Sequence, residues 1–80
     1  MSLYDLLGLD RDATEAQVRR AYRRLARRWH PDLNPGNAEA ARHYGAITEA
    51  FDTLVDPVRR RAYDATGVVV PPAPATPVAS

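Results

Sequence analysis

The sequence predicts an all-α domain with two long helices and a short helix at each end. Two stretches place apolar residues three and four positions apart, which is the spacing of one helical face. Residues whose side chains cap helices precede both stretches, and a segment containing two prolines and a glycine separates them. Eighty residues with 45% apolar content can enclose one small core.

The first helix lies within residues 2–9, where four leucines follow a helical pattern that Gly8 can end. A second helix begins at Glu15, because the Thr14 hydroxyl and the Gln17 side chain can form a capping box. The apolar stripe of this second helix consists of Val18, Ala21, Tyr22, Leu25, Ala26 and Trp29.

The second helix ends near Trp29, because Pro31 forces His30 out of the α region. Asn37 can cap a third helix that continues to about Val55. Two amphipathic helices joined by a short loop should pair antiparallel. The apolar stripe of the third helix consists of Ala40, Tyr44, Ile47, Ala50, Phe51 and Leu54, and we expect the larger residues of both stripes to form the core.

A short closing helix follows, with Asp56 as its cap and Pro57 in its first position. Residues 1–67 are therefore predicted to form one domain. Residues 68–80 are rich in proline, alanine and valine and carry no charge, which favours a disordered linker or tail.

Composition excludes several classes of protein. The chain has no cysteine, so disulfides, thiol chemistry and cysteine-based zinc sites are excluded within it. Its first residues have neither the basic flank and apolar run of a secretory signal nor the length of a membrane span. We therefore expect a soluble, cytoplasmic protein with no membrane partner.

The net charge is only +1, but the charges are unevenly distributed. Residues 19–28 hold six arginines and no acidic residue, and like charges four positions apart each cost about 0.2 to 0.5 kcal/mol. One interpretation is a solvated helix face whose arginine stems shield the core. The other is a docking surface for an acidic partner, either nucleic acid phosphate or an acidic patch on a protein.

The tripeptide His30-Pro31-Asp32 follows this basic helix directly. A metal site would need more ligands, and the other histidine, His43, lies in the middle of the third helix. The hydroxyl residues form no recognisable catalytic constellation, so we do not expect an enzyme and expect no cofactor. Taken alone, the tripeptide is a weak signal that also fits an ordinary helix stop and turn.

The combination of these features resembles the J-domain of DnaJ-type co-chaperones over about residues 3 to 67. The similarity rests on Tyr4, Leu7-Gly8-Leu9, Ala21-Tyr22-Arg23 and His30-Pro31-Asp32 in the first half. In the second half it rests on Asp56-Pro57, Arg59-Arg60, Tyr63-Asp64 and Gly67. Trp29 and Phe51 stand where the family more often has tyrosine, and both suit core packing.

The resemblance implies a four-helix J-domain that binds a heat-shock protein 70 (DnaK) family chaperone and stimulates its ATP hydrolysis. The chain has no glycine-phenylalanine run and no zinc domain, so client proteins would be bound only by parts absent from it. Two alternatives remain open: a J-like scaffold that activates no ATPase, and a nucleic-acid-binding module, which the resemblance disfavours. The partner-binding residues implied are His30, Pro31, Asp32, Arg19, Arg20, Tyr22, Arg23, Arg24 and Arg27.

Overall fold

Four helices account for most of residues 2–69, which are the residues that the computed structural model describes. They are α1 (Leu3–Leu7), α2 (Glu15–Trp29), α3 (Ala38–Val55) and α4 (Pro57–Thr66). No strand occurs between residues 2 and 69. The predicted all-α class and the order of two long helices between two short ones are confirmed.

The predicted helix starts are confirmed by the hydrogen bonds at each cap. The backbone N–H of Gln17 donates to the Thr14 hydroxyl at 3.1 Å, and the Gln17 side chain accepts from the Thr14 N–H at 2.8 Å. Asn37 accepts through its side chain from the third residue of the α3 segment it caps, at 3.0 Å. Asp56 accepts from the N–H of Val58 at 2.9 Å. Each cap satisfies donors that have no partner inside the helix.

Helix α1 is held at both ends despite its five residues. Ser2 and Asp5 form a capping box. The Asp5 N–H donates to the Ser2 hydroxyl at 3.2 Å, and the Ser2 N–H donates to the Asp5 carboxylate at 3.0 Å. Gly8 ends the helix with φ of 69°, a left-handed conformation that glycine adopts without a steric cost. These bonds stabilise a segment too short to be helical by itself.

Helices α2 and α3 pair antiparallel, as their ring contacts show. The ring of Tyr22 stacks on Phe51 at 4.3 Å, and further along α2 the ring of Trp29 stacks on His43 at 4.5 Å. The earlier residue of α2 thus contacts the later residue of α3, and the later residue of α2 contacts the earlier one, so the two helices run in opposite directions. The predicted helical hairpin is therefore confirmed.

The core lies where α1 and α4 pack on this hairpin. Ile47 and Leu54 are buried as predicted, but Tyr4 and Leu7 of α1 are among the most deeply buried side chains. Helix α4 packs on α3. Five residues predicted as core are only partly buried, so this part of the hairpin remains accessible to solvent: Tyr22, Leu25, Trp29, Tyr44 and Phe51.

Side-chain hydrogen bonds join α1 to α4. The Tyr63 hydroxyl accepts from the buried N–H of Leu3 at 2.9 Å, and the Tyr4 hydroxyl donates to Asp64 at 2.6 Å. Arg60 donates to the Tyr4 hydroxyl at 3.1 Å. Arg60 also reaches the carbonyl of Arg11 in the loop after α1, at 2.9 Å. We call these residues the α1–α4 network: Leu3, Tyr4, Arg11, Arg60, Tyr63 and Asp64.

The predicted tail begins at residue 68, and its residues 70–80 lie outside the described residues. Val68 is exposed, whereas Val69 is partly buried against the hydrophobic core. The last described residue therefore still contacts the domain. The disordered character predicted for the tail stays a prediction.

Candidate functional site

The loop between α2 and α3 begins at His30, whose backbone has left the α region. Its φ and ψ are −57° and 135°, as expected for a residue before proline. The His30 carbonyl accepts from the backbone N–H groups of Leu33 at 3.0 Å and Asn34 at 3.1 Å. These bonds fold the residues after Pro31 into a compact turn, so the position of Asp32 is fixed by the backbone.

The imidazole of His30 is oriented by its own loop and by α3. Its Nδ1 accepts from the backbone N–H of Asp32 at 3.1 Å, and its ring meets Tyr44 edge-on with centroids 5.4 Å apart. A neutral imidazole that accepts through Nδ1 carries its proton on Nε2. The ring can therefore offer an Nε2–H donor to a partner.

The carboxylate of Asp32 faces solvent. Its side chain is 89% exposed, against 42% for His30, and one carboxylate oxygen lies 3.7 Å from the His30 Nδ1. No salt bridge to an arginine or to a residue other than His30 involves Asp32 within residues 2–69. A basic group of another molecule can therefore approach it without displacing a cation of this chain.

Asn34 secures the end of α2, a role that the sequence interpretation missed. Its side-chain amide donates to the carbonyls of Arg28 and His30, both at 3.0 Å. Carbonyls in the last turn of a helix have no partner inside the helix. The signal in the sequence was an asparagine four residues after His30, close enough for its side chain to reach the end of α2. Asn34 thus fixes the loop relative to α2.

The arginine face is formed by the exposed side chains of Arg19, Arg20, Arg23, Arg24 and Arg27 on α2. Arg19 lies 3.5 Å from Glu15 in an exposed ion pair. The other four have no acidic side chain within 4.0 Å among residues 2–69. From Arg19 to Arg27 the face extends about 12 Å along the helix, at about 1.5 Å per residue. Arg27 lies three residues before His30, so the face leads directly into the loop.

Among the predicted partner-binding residues, Tyr22 alone belongs neither to the arginine face nor to the loop. It is partly buried between α2 and α3, stacked on Phe51, with its hydroxyl 3.2 Å from that of Thr48. The structure therefore brings together the loop tripeptide and the five arginines. It places Tyr22 where its main contacts are within the hairpin.

The described part of the chain has neither a metal-binding cluster nor a membrane-spanning helix. Residues 2–69 contain no group of three or more histidine, cysteine, aspartate or glutamate side chains that could hold a metal ion. None of the four helices combines the length and apolar character required to span a bilayer.

Comparison with known proteins identifies relatives of the whole helical region. The family model described as DnaJ domain matches residues 2–64. A chaperone protein DnaJ from Caldicellulosiruptor saccharolyticus is 52% identical over 64 residues, which are 80% of this chain and 16% of that protein. A chaperone protein DnaJ from Thermoplasma volcanium is 51% identical over 67 residues, 82% of this chain and 18% of that protein. The chain thus spans less than a fifth of the length of these relatives.

Solved structures give the same result for the fold. The crystal structure of the J-Trx1 fragment of ERdj5 superposes with a TM-score of 0.80 at 36% identity, covering 84% of this chain and 33% of that one. A second crystal form of ERdj5 gives a TM-score of 0.77 at 35% identity, covering 82% of this chain and 9% of that one. With the family model matching most of its length, the chain belongs to the DnaJ domain family.

Proposed function

We propose that this domain binds a heat-shock protein 70 (DnaK) family chaperone and stimulates its ATP hydrolysis. One observation carries the proposal: an exposed His30-Pro31-Asp32 loop of fixed geometry directly follows a helix face whose arginines mostly lack internal counterions. Both relatives described above are named chaperone protein DnaJ, which supports the assignment. We place the function in the cytoplasm, and binding of clients in parts of the protein outside this chain.

The arginine face acts first and at long range. Unpaired cations on one side of a helix attract an acidic protein surface, raise the encounter rate and restrict the orientation of approach. At physiological ionic strength such attraction extends about 8 Å, so it guides the partner over the last stage of approach. Mutation of these arginines should therefore change the association rate and its dependence on salt.

The loop acts after contact. The exposed carboxylate of Asp32 forms a charge-assisted pair with a basic side chain of the chaperone, preferably an arginine that can bind both oxygens. His30 donates from Nε2, because its Nδ1 is occupied by the Asp32 N–H. Pro31 keeps the chain out of the helix.

Stimulation is allosteric, and no covalent bond is made or broken by this chain. ATP hydrolysis takes place on the chaperone, and the domain binds the hydrolysis-competent state more tightly than the resting state. That difference in affinity shifts the population toward the competent state. A domain that bound both states equally would change nothing, however tightly it bound.

The test is single-turnover ATP hydrolysis by a DnaK-type chaperone, alone and with the wild-type domain. We expect stimulation by the wild type and its loss in His30→Gln and in Asp32→Asn. The matched controls are His43→Gln on α3 and Asp10→Asn in the loop after α1, which remove the same groups elsewhere and should leave stimulation intact. Circular dichroism of all four variants should show an unchanged fold, because the altered side chains are at least partly exposed.

Other outcomes identify the alternatives. Chaperone binding without stimulation would contradict the proposal and favour a J-like scaffold. Binding to nucleic acid with a steep salt dependence, unaffected by Asp32→Asn, would favour a phosphate-binding arginine helix. Failure to stimulate several DnaK-type chaperones by a folded domain would also contradict the proposal.

A further inference from the structure

Leu33 exposes an apolar side chain in the loop that carries His30 and Asp32. It is 68% exposed, one of three large apolar residues that residues 2–69 leave mostly in solvent. The other two are Val58 at the start of α4 and Val68 after its end. The backbone N–H of Leu33 donates to the His30 carbonyl at 3.0 Å, so its position in the turn is fixed.

Residues of the same loop and of the first turn of α3 form an open, mainly apolar groove of about 340 Å³. Pro31 and Asn34, which lie on either side of Leu33 in the chain, form part of its wall. A single exposed leucine is common on protein surfaces and carries no meaning by itself. Here the leucine lies in the chain between an exposed carboxylate, Asp32, and a residue of the groove wall, Asn34, and protein interfaces combine apolar with charged surface in this way. The groove residues are Pro31, Asn34, Gly36, Asn37, Ala38 and Ala41.

We infer that Leu33 and this groove bind an apolar patch on the DnaK-type chaperone, beside the basic group that pairs with Asp32. The inference rests on the proposed function and adds a contact to it. Asp32 and Leu33 are consecutive, so a partner that reaches the carboxylate also reaches the leucine. A partner attracted by the arginine face lies along α2, whose last turn leads into the same loop.

The contact made by Leu33 differs physically from that of the arginines. Burial of apolar surface is non-directional, and salt does not screen it as it screens charge. The arginines should therefore set how fast the partner arrives, and Leu33 should set how long it stays. Leu33 also provides a means of selecting among chaperones that share an acidic surface but differ in the adjacent apolar patch.

The experiment measures binding of the domain to an ATP-loaded DnaK-type chaperone by surface plasmon resonance, at low and at high salt. Leu33→Ser should weaken binding about tenfold, which corresponds to about 1.4 kcal/mol, mainly through faster dissociation. Val58→Ser is the matched control, since Val58 is 76% exposed on α4, and it should bind like the wild type. Leu33→Met preserves the apolar surface and should retain most of the affinity.

The ratio of wild-type to Leu33→Ser affinity should be the same at both salt concentrations. Equal binding by Leu33→Ser and Val58→Ser would overturn the inference and leave the proposed function standing. A Leu33→Ser defect that disappeared at high salt would overturn it as well. Absence of binding by the wild-type domain would instead refute the proposed function, and the inference with it.

Discussion

Arg60 on α4 and Arg23 on α2 are the same type of residue, but their surroundings are opposite. Arg60 is 20% exposed in its side chain, donates to the Tyr4 hydroxyl and to the Arg11 carbonyl, and lies 4.0 Å from Asp64. Arg23 is exposed on α2 and has no acidic side chain within 4.0 Å among residues 2–69.

The same contrast holds for the regions around these residues. Bonds of the α1–α4 network join residues 49 to 60 positions apart, so they connect the two ends of the chain. The side-chain bonds of the loop after α2 join residues two to six positions apart. One side of the molecule holds the fold together, and the other holds a local shape while leaving its charges available to a partner.

The difference shows that a basic residue type does not by itself reveal its role. A partly buried arginine with several acceptors stabilises the fold, because removing it leaves those acceptors unpaired. An exposed arginine beside other arginines destabilises it slightly, because like charges repel. Arg60→Ala should therefore lower the stability of the domain, and Arg23→Ala should raise it.

We expect the largest change in stability when Arg60 is removed. We expect Arg60→Ala to lower the free energy of unfolding by about 1 to 3 kcal/mol, the usual cost of removing hydrogen bonds to a charged group. For a domain of this size each kcal/mol lowers Tm by about 4 to 8 °C. Urea unfolding followed by circular dichroism measures the change, and chaperone stimulation by the folded variant should persist below its Tm.

A fall in stability of less than about 0.5 kcal/mol in Arg60→Ala would contradict the stabilising role of the α1–α4 network. Arg61→Ala is the matched control. Arg61 is the next residue on the same helix, is exposed, and appears in none of the hydrogen bonds or ion pairs within residues 2–69. Its loss should change stability by no more than about 0.5 kcal/mol.

Much of the hairpin could be predicted from sequence because its signals are local. The capping pair Thr14 and Gln17 and the stop at Pro31 act within a few residues, and both act in the structure as predicted. The exposure of the arginine face followed from helical periodicity alone. Its binding role rests on the family resemblance and stays a prediction.

The α1–α4 network could not be predicted, because no periodicity relates Tyr4 to Asp64 or Leu3 to Tyr63, 60 positions apart. The family motif singled out Tyr4, Tyr63 and Asp64 without indicating that Tyr4 bonds to Asp64 or that Tyr63 bonds to Leu3. Partial burial of Tyr22 likewise depends on how much of the hairpin the short helices cover. Asn34 is an intermediate case. Its hydrogen bonds join residues close together in the sequence, but its side-chain amide reaches two carbonyls at once.

The second prediction concerns the arginine face. Arg23 has like-charged neighbours one turn away on both sides, Arg19 and Arg27. Removing two such repulsions should raise the free energy of unfolding by about 0.4 to 1 kcal/mol in Arg23→Ala at low salt. The gain should shrink as salt is added, because salt screens exposed charges. Urea unfolding at low and high salt measures both effects.

The same variant should bind the chaperone more slowly. Higher stability together with slower association would show that the arginine face serves a partner at the expense of the fold. Lower stability in Arg23→Ala would contradict this view, since it would mean that Arg23 makes a favourable contact in the folded domain. Arg23→Gln removes the charge but keeps much of the side chain, and it should show the same gain.

The smallest expected change in stability appears only at alkaline pH and concerns Tyr4 in the α1–α4 network. Burial raises the pKa of the Tyr4 phenol above its ordinary value of 10.0, the hydrogen bond to Asp64 raises it further, and Arg60 opposes the shift. The folded state therefore keeps this proton at a pH where the unfolded chain releases it. Its contribution to stability is complete below pH 10 and is lost as the pH rises through the raised pKa.

Tyr4→Phe should therefore lose less stability than the wild type between about pH 9 and about pH 11, although it starts from a lower value because it lacks the hydroxyl. Urea unfolding across this range measures the two slopes. The neighbouring phenol of Tyr22 also raises the pKa of Tyr44, so Tyr4→Phe should flatten the curve without making it level. Adding Tyr44→Phe should flatten it further. Parallel curves of stability against pH for Tyr4→Phe and the wild type would contradict this prediction, because they would mean that the fold holds the Tyr4 proton no more tightly than the unfolded chain does. The phenol would then join α1 to α4 without restricting the pH range over which the domain is stable.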